Sequence, residues 1–412
     1  MNKQKKAIVF IEASSTGAGE VTAKYAKRIG LETILVSINP SMYSISVLRY
    51  MDELIACDTN SIGDITNELE SIQYKIKGIT TTNDLFVPQA SLVANKFNLA
   101  SMNYNDVLNV RNKYKMRLKL SEQNCHLNPR FEVAKSKEDV LNIAKELGFP
   151  LIFKPQNSND SIDVNLINNE VEALKYWRKS ERWNKNEFDQ KIEEDILVEE
   201  YVQGEEFSME TYQFFGEEIQ LIGITKKIMT GVESNSFVEL GLTFPHDELN
   251  DKVFPKISKA LSDLGINCGV IHTEFRIVNG EIKIIEINPR LMGDMAGSHL
   301  MGYSLGSNPA HLVVDIAINE KKEFKSIFRK KATLFGVCLP ENGIFYGIEN
   351  EEEILEAGAI AIGAIKPIGE KYYYPPKSNI DVVARIITLD ETFVKATEKA
   401  ERISELIKFK EK

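Results

Sequence analysis

Short apolar runs alternate with helix-like segments in the first hundred residues. The runs KAIVFI, ETILVSI and KGITTT have the length and composition of strands. The segments VTAKYAKRIG and DLFVPQASLVANKFN are typical of helices. A glycine-containing turn, EASSTGAGE, joins the first strand to the first helix. The order strand, turn, helix, strand predicts a parallel α/β unit that closes a first domain near residue 105.

The middle of the chain follows a different order. RFEVA, PLIFKP and ILVEEYV predict strands that are separated by the helices KEDVLNIAKELG and EVEALKYWRKS. Long β-type runs follow from Phe207 to Lys227, and the helix NDKVFPKISKALSDLG precedes a hairpin over residues 269–290. Antiparallel strands flanked by helices predict an α+β domain. After residue 330, KATLFGVCLP, AIAIGAI, DVVARIITL and the amphipathic ETFVKATEKAERISELIKF predict a small terminal lobe.

Composition narrows the class of protein. A chain of 412 residues predicts two or three domains. Its net charge of −10 argues against nucleic acid, although a local lysine cluster could still hold a small anion. The four cysteines lie far apart without metal-like spacing and predict buried free thiols in a reducing compartment. No run approaches the ~20 apolar residues of a membrane span, and the N-terminal apolar run is too short for an export signal, so we expect a cytoplasmic protein.

The 269–290 hairpin carries an unusual set of polar residues. HTEF and IIEINPR place Glu274, Glu286, Asn288 and Arg290 among isoleucines. On a half-buried strand such residues are usually solvated. Two carboxylates and an amide beside a guanidinium also suit a hard divalent cation that holds phosphates.

Three further segments have possible chemistry. Lys154 ends the apolar strand FPLIFKP, where burial is costly unless an anion pairs with it, and the polar loop QNSNDSID follows. Lys113 begins a helix-like segment. In ILVEEYVQGEEFSMET an acid could accept hydrogen bonds from ribose hydroxyls. Each has an ordinary surface explanation by itself. The turn TGAG lacks the G-x-G-x-x-G spacing, which argues against a nicotinamide site.

Taken in order, these motifs resemble the ATP-grasp superfamily over almost the whole chain. FVELGLTFPHDEL and HTEFRIVNGEIKIIEINPRLMGD resemble specifically the bacterial L-amino-acid ligases. Biotin carboxylase and the purine-pathway carboxylate–amine ligases are similar but more distant. The resemblance implies an α/β and α+β multidomain chain: a Rossmann-like N-terminal domain over 1–108, a two-lobed ATP-grasp domain over 109–328 and a small α+β C-terminal lobe over 329–412.

The resemblance also implies roles for individual residues. ATP phosphates would be held by Lys113 and Lys154, with the loop around Ser161 closing over them. The adenine hinge would be Glu199, Glu200, Tyr201 and Val202, with Glu206 on the ribose. Mg²⁺ or Mn²⁺ would be held by Glu274, Glu286 and Asn288. Arg290, with Gly293 behind it, would hold an acyl phosphate, Lys227 would touch the transferring phosphoryl group, and Glu239 and His272 would approach the amino-acid substrates.

This sequence departs from the ATP-grasp pattern in the loop that would cover the phosphates. Relatives place glycines there, whereas NSNDSIDV has none, and Asp160 and Asp163 add negative charge. Because glycine allows the backbone to approach phosphate closely, we expect this loop to be ordered only by substrate or to bind ATP less tightly.

The implied reaction is ADP-forming ligation of a small-molecule carboxylate to an amine through an acyl phosphate, giving an amide or dipeptide. Transfer of the activated amino acid to a carrier-protein thiol stays open. So does a non-catalytic, nucleotide-binding regulatory role. The sequence leaves a homodimer open and predicts no nucleic-acid or membrane partner.

Side chains alternate between the two faces of each strand, so the register of the hairpin tests whether Glu274 and Glu286 can share a metal ion. A two-residue Asn279-Gly280 turn would pair Val278 with Glu281 and send Glu274 and Glu286 to opposite faces. A three-residue loop would pair Ile277 with Glu281, bring both carboxylates to one face, and place Ile285 on the apolar face. We therefore predict the three-residue register, with a bulge and positive φ at Gly280.

Overall fold

The computed structural model describes residues 4–15, 17–159, 161–229, 238–327, 329–377 and 379–412. The first elements in chain order are β1 (Lys6–Ile11), α1 (Ala18–Arg28), β2 (Glu32–Ser37), α2 (Ile45–Leu48), β3 (Glu53–Ala56), α3 (Ile62–Ser71), β4 (Lys75–Thr80) and α4 (Val87–Lys96). Their strands form a parallel sheet in the order β3-β2-β1-β4.

Both faces of this parallel sheet are covered, as expected for parallel strands. Alternate β1 residues belong to two clusters: Val9 and Ile11 to one, Ile8 and Phe10 to the other. The second cluster also contains Val314, from a helix far along the chain. The first sheet is therefore packed directly against a later part of the molecule.

The next elements are α5 (Tyr104–Arg111), α6 (Lys113–Gln123), β5 (Phe131–Ala134), α7 (Lys137–Leu147), β6 (Leu151–Pro155), β7 (Asn165–Ile167), α8 (Glu170–Ser180) and β8 (Ile196–Glu200). Their four strands form an antiparallel sheet in the order β5-β8-β6-β7. This sheet and helices α7 and α8 enclose a small core of their own.

The remaining elements are β9 (Glu205–Gln213), β10 (Gln220–Met229), β11 (Glu239–Phe244), α9 (Asn250–Asp263), β12 (Gly269–Val278), β13 (Glu281–Asn288), α10 (Met301–Leu305), α11 (Ala310–Ala317), β14 (Lys331–Val337), β15 (Gly343–Ile344), α12 (Glu351–Glu356), β16 (Ala361–Ala364), β17 (Lys371–Tyr372), β18 (Ala384–Asp390) and α13 (Phe393–Ser404). A π-helix at Ala296–Leu300 precedes α10.

Eight of these strands form one sheet in the order β13-β12-β9-β10-β11-β14-β18-β16. The α/β and α+β fold class predicted from sequence is confirmed. The strands predicted to form a terminal lobe continue this sheet, because β14 pairs with β11 through Phe335 and Gly241. The domain boundaries at 108 and 328 stay predictions. In the described part of the chain, none of the helices has both the length and the apolar character needed to cross a membrane.

Gly17, in the sequence TGAG, packs against a distant part of the chain. Gly17 has a φ of 57°, and a Cβ there would lie 2.0 Å from the backbone oxygen of Asp294. Asp294 belongs to the segment that follows β13. A side chain at position 17 would therefore push the parallel sheet away from that segment, which gives this glycine a packing role.

Candidate active site

The β12–β13 hairpin has a different register from the one predicted. Val278 pairs with Glu281 across a two-residue turn, in which Asn279 and Gly280 have φ of 49° and 84°. The predicted three-residue loop is therefore wrong, although the positive φ at Gly280 is confirmed. Two consecutive residues with positive φ are typical of a type I′ turn, which matches the twist of a two-residue hairpin.

A bulge farther along the hairpin brings the two carboxylates together. Phe275 pairs with Ile284 and Glu274 pairs with Glu286, so Ile285 is the extra residue. One extra residue reverses the alternation of faces. Glu274 and Glu286 therefore lie on one face, as predicted, and they are directly opposed, which was not predicted. Ile285 lines the active-site cavity instead of the core face expected for it.

Arg117 of α6 holds this bulge. Its side chain is fully buried, Nη1 donates to the carbonyl oxygen of Ile284 at 2.6 Å and Nη2 donates to that of Ile285 at 2.9 Å. A bulge leaves backbone groups without ladder partners, and the guanidinium supplies donors to them. Sequence reasoning missed Arg117. Its spacing from Lys113, one helical turn, would have indicated only a shared face of α6.

Each of the opposed carboxylates is paired with a lysine. Glu286 lies 2.9 Å from Nζ of Lys113, and Glu274 lies 3.0 Å from Nζ of Lys227. Asn112 caps the N-terminus of α6, accepting the Lys115 N–H, and so sets Lys113 in the first turn. Lys113 also donates to the backbone oxygen of Ser158 at 2.7 Å.

The oxygen atoms brought together here are of the kind that a hard divalent cation prefers as ligands. Two carboxylates face each other, and the buried Asn288 follows Glu286 on the same strand, opposite His272. Carboxylate and amide oxygens are the ligands that Mg²⁺ takes, with phosphate oxygens completing its shell. Among the residues described, no three His, Cys, Asp or Glu side chains form a metal cluster. A cation here would therefore depend on the nucleotide for further ligands.

Lys227 lies at the centre of a carboxylate cluster. Besides Glu274, its Nζ is 3.2 Å from Glu206 and 3.5 Å from Glu239. Burial lowers the pKa of Lys227, but the carboxylates of Glu274, Glu206 and Glu239 outweigh burial and raise it. The lysine is thus a fixed cation. Glu206 is also bound by Arg276, whose Nη2 donates to it at 2.6 Å.

Lys154 and Arg117 share one carboxylate. Glu199 accepts from Arg117 Nε and Lys154 Nζ, each at 2.7 Å. Burial raises the pKa of Glu199, but these two cations outweigh it and hold that pKa at about 2. Burial and Arg117 lower the pKa of Lys154, while Glu199 opposes them. An additional anion beside Lys154 would therefore be stabilised.

One cavity of about 830 Å³ lies between the four-stranded antiparallel sheet and the eight-stranded sheet, and its lining includes Lys113, Lys154, Glu199, Lys227, Glu274 and Glu286. The wall combines apolar residues such as Ile152, Val202 and Ile285, uncharged polar residues such as Ser158 and Asn159, and the charged residues named above. All the sequence-predicted site residues line this cavity except Asn288, Arg290, His272 and Gly293.

The predicted phosphate loop lacks glycine but adopts glycine-like backbone. Ser161 and Asp163 have φ of 55° and 59°, in the left-handed region. The negative charge of Asp163 is compensated within the chain, because Asp163 pairs with Lys179 and accepts from Trp183 Nε1 at 2.8 Å. Asp160 lies outside the described residues.

His272 lies beneath the carboxylate pair. Its Nδ1 contacts Glu210 and its Nε2 is 3.0 Å from Glu274. Burial lowers the pKa of His272, but Glu210 and Glu274 outweigh burial and raise it to about 9. Glu210 also accepts the Met292 N–H at 3.1 Å, which ties the segment after β13 to this network. Sequence reasoning missed Glu210, since nothing in FSMET distinguishes it from a solvated acid.

Arg290 meets a residue from the parallel-sheet part of the chain. Its Nε is 3.5 Å from Oδ1 of Asp84, and Asp84 Oδ2 is 3.1 Å from Arg111 Nε. A Cβ at Gly293 would lie 3.8 Å from Arg290 Nη1, so these two residues are adjacent. Asp84 was missed. Its position just beyond the carboxyl end of β4 was the available signal, because ligands gather at that edge of parallel sheets.

The last strands also reach the site. Arg385 of β18 donates to Asp294 at 2.8 Å and to the backbone oxygen of Glu239 at 3.2 Å. Asn379 accepts the Glu239 N–H at 2.8 Å. The C-terminal part of the chain thereby holds Glu239, on one side of Lys227.

Residues 147–299 match a family model described as an ATP-grasp domain. Among curated proteins, the uncharacterised protein y4rH of Sinorhizobium fredii is 25% identical over 308 residues. That match includes 71% of this chain and 60% of the relative, so the chain spans less than two thirds of its length.

Solved structures resemble the whole chain at low sequence identity. An L-amino acid ligase from Bacillus licheniformis matches with a TM-score of 0.81 and 20% identity, covering 100% of both chains. Phosphoribosylglycinamide synthetase from Anaerococcus prevotii has a TM-score of 0.72, with 20% identity and 100% of both chains covered. N5-carboxyaminoimidazole synthetase from Staphylococcus aureus, complexed with ADP, has a TM-score of 0.75 and 15% identity over 98% of this chain and 99% of that one. The fold implied by the sequence resemblance is confirmed.

Proposed function

We propose that this chain, whose residues 147–299 match the model of the ATP-grasp domain family, is an ADP-forming ligase that joins the carboxylate of an amino acid to an amine. The proposal rests above all on one observation. Glu274 and Glu286 are directly opposed on one face of the hairpin, each beside a buried lysine, in the wall of a cavity large enough for a nucleotide.

ATP occupies the 830 Å³ cavity in this proposal. The backbone of Glu200 to Val202 contacts the edge of the adenine ring. Ile152 and Ile285 pack against the two faces of that ring. Glu199 orients Lys154 beside the nucleotide. Glu206 accepts from the ribose. Lys154 and Lys113 neutralise the phosphates, which agrees with the lowered pKa of Lys154 in the absence of a further anion.

Glu274, Glu286 and Asn288 would hold Mg²⁺ or Mn²⁺, which neutralises phosphate charge and orients the γ-phosphate when bound. Lys227 stays protonated among its carboxylates and stabilises charge on the transferring phosphoryl group. Protonated His272 keeps Glu274 ionised and oriented from below.

The reaction has two steps. A carboxylate oxygen of the amino acid attacks the γ-phosphorus, the bond to the β,γ-bridging oxygen breaks, and ADP leaves. Arg290, with Gly293 leaving room beside it, holds the resulting acyl phosphate. An amine nitrogen then attacks the acyl carbon, gives up a proton, and displaces phosphate to form the amide. Activation is needed because a free carboxylate is a poor electrophile.

A phosphate-release screen over pairs of amino acids tests this function. We expect at least one pair to give ADP, phosphate and an amide in equal amounts. In this proposal the γ-phosphate faces the substrate carboxylate, so we expect ADP rather than AMP. Stoichiometric pyrophosphate would contradict the proposed chemistry, and ADP release that does not depend on added amino acids would contradict the proposed substrates.

A further inference from the structure

The C-terminal part of the chain contributes a residue to the wall of the nucleotide cavity. Asn379 lines this cavity, although it lies far beyond Lys227 and Arg290 in the sequence. Sequence reasoning missed it, because its neighbours in YYYPPKSNI have the composition of an ordinary surface loop. None of the side chains used in the proposed reaction comes from this part of the chain.

A hydrogen bond fixes the orientation of the Asn379 amide. Its Oδ1 accepts the N–H of Glu239, the first residue of β11, at 2.8 Å. Because a backbone N–H can bond only the oxygen of a side-chain amide, this contact also identifies which atom is the nitrogen. Among the described residues Nδ2 donates to no other group, and Asn379 is half-buried in the cavity wall. The nitrogen is therefore the atom that can meet a ligand.

The segment that carries this amide is anchored. Asn379 begins a short 3₁₀ helix that ends at Asp381. Asp381 is buried and accepts the N–H groups of Tyr373 and Lys377 at 2.9 and 2.8 Å. The chain then continues into β18, a strand of the eight-stranded sheet. The amide is thus held in place before a ligand binds, and a preorganised donor needs no reorganisation during a reaction.

Asn379 lies at the part of the cavity that contains Lys227. Its partner Glu239 is 3.5 Å from Nζ of Lys227, and Lys227 is the cation assigned to the transferring phosphoryl group. Glu206 and Glu274 also contact Lys227, at 3.2 and 3.0 Å. An anionic oxygen that binds beside this lysine therefore meets three carboxylates. An uncharged N–H donor at the same place offsets part of their repulsion.

Building on the nucleotide site of the proposed ligase, we infer that Asn379 is a further catalytic residue, whose Nδ2 donates a hydrogen bond to an oxygen of the γ-phosphoryl group. Hydrogen bonds to an ionised acceptor are stronger than those between neutral groups. The contact therefore distinguishes ATP from ADP, which lacks this group. The C-terminal part of the chain thus contacts the transferring group in addition to supporting Glu239.

Binding of two nucleotides to the 412-residue chain tests this contact without turnover. Mg-AMP-PNP carries a γ-phosphoryl group that resists transfer, and Mg-ADP lacks that group. Isothermal titration calorimetry measures the Kd of each. Asn379→Ala should raise the Kd for Mg-AMP-PNP about tenfold or more, since a hydrogen bond to a charged group is lost. The same variant should keep the Kd for Mg-ADP within about twofold of wild type.

A double-mutant cycle separates the donor from the support of Glu239. If Asn379 acted only by placing the Glu239 carboxylate beside Lys227, its loss would have no effect in a Glu239→Gln background. A direct donor keeps its effect there. Asn379→Ala should therefore again raise the Kd for Mg-AMP-PNP about tenfold relative to Glu239→Gln alone. Disappearance of the effect in that background would overturn the inference.

Asn342→Ala is the matched control. Asn342 is another asparagine of the C-terminal part, and its Oδ1 accepts the N–H of Tyr374 at 2.9 Å, but it does not line the nucleotide cavity. It should leave both Kd values unchanged. If Asn342→Ala weakened Mg-AMP-PNP as much as Asn379→Ala, the effect would reflect the packing of this part of the chain and the inference would be overturned.

Two other results would also contradict the contact with the γ-phosphoryl group. One is equal weakening of both nucleotides by Asn379→Ala. The other is an unchanged Kd for Mg-AMP-PNP with a raised amino-acid concentration for half-maximal turnover, which would place the amide at the substrate carboxylate. A failure of the proposed ligase function would appear separately, as wild-type nucleotide binding without phosphate release for any pair of amino acids.

Discussion

Two acid–lysine pairs bring opposite charges together where charge develops in the proposed reaction. Glu286 pairs with Lys113 and Glu274 pairs with Lys227, and all four side chains line the nucleotide cavity. Neither lysine is tied to its acid alone, since Lys113 also binds Ser158 and Lys227 also binds Glu206. A cation and phosphates can therefore replace the direct pairs without leaving either lysine unpaired.

Glu286→Gln should abolish phosphate release and preserve the fold. The substitution keeps the size of the side chain but removes one of the two carboxylates proposed as metal ligands, so we expect at least about a 100-fold loss of turnover. Phosphate release at saturating ATP and amino acid measures it. Glu281→Gln, on the same strand but exposed, is the control. Near wild-type turnover of Glu286→Gln would rule out the metal assignment.

The lowered pKa of Glu199 predicts that the free energy of unfolding depends on pH. Its pKa is about 2 in the folded chain against an ordinary value of 4.5, so its stabilising contribution is complete above about pH 4.5 and is lost as pH falls toward 2. The difference corresponds to on the order of 3 kcal/mol. Urea unfolding between pH 6 and 3 measures this loss, and Glu199→Gln should show a shallower dependence across that range. An equally steep dependence in the variant would contradict the pairing.

At the scale of elements, the hairpin and α6 form one unit. The bulge at Ile285 sets which face Glu286 occupies, and Arg117 holds the carbonyl oxygens of Ile284 and Ile285. The same guanidinium binds Glu199, which orients Lys154. Arg117 therefore links the carboxylates proposed for the metal to a lysine proposed for the phosphates.

Arg117→Lys should raise the Mg²⁺ concentration for half-maximal activity about tenfold or more. Lysine keeps the charge near Glu199 but lacks the planar fork that reaches two carbonyl oxygens. Lys283→Met is the control, because Lys283 of β13 also donates to backbone oxygens of another segment, those of His126 and Asn128, but does not line the cavity. Lower activity at every Mg²⁺ concentration, without a shift of the midpoint, would indicate a general structural role instead.

At the scale of the whole molecule, one eight-stranded sheet joins the candidate site to the C-terminal part of the chain. β14 continues the sheet beyond β11, and Arg385 of β18 reaches Asp294 and Glu239. Helix α11 packs on the parallel sheet through Val314. The site thus depends on contacts from all regions of the chain.

A chain ending at residue 328 should fail to fold into an active unit. It would leave β11 as an unpaired edge and remove the partner of Glu239 and Asp294, and unpaired edges promote aggregation. We expect loss of a cooperative thermal transition and loss of phosphate release. A monomeric truncated protein that unfolds cooperatively and retains turnover would support an independent terminal lobe.

The sequence by itself determined most of the elements and most of the residues of the candidate site. Alternation and apolar runs predicted the strands around Val9, Phe153 and Phe275, because local spacing records which face of an element is buried. The ordered motifs from Lys113 to Arg290 indicated a resemblance to the ATP-grasp superfamily, whose domain model matches residues 147–299. These signals are local, or they follow a fixed order along the chain, so they survive without coordinates.

Only the tertiary structure decided how those elements meet. The turn at Asn279 and Gly280 has the simple two-residue form, and the face of Glu286 is set five residues farther on, at a bulge held by Arg117 from another element. Asp84 meets Arg290 across more than 200 residues of chain. Such contacts depend on packing between distant segments, and a bulge depends on partners that compensate its backbone groups, so neither leaves a pattern in the neighbouring residues.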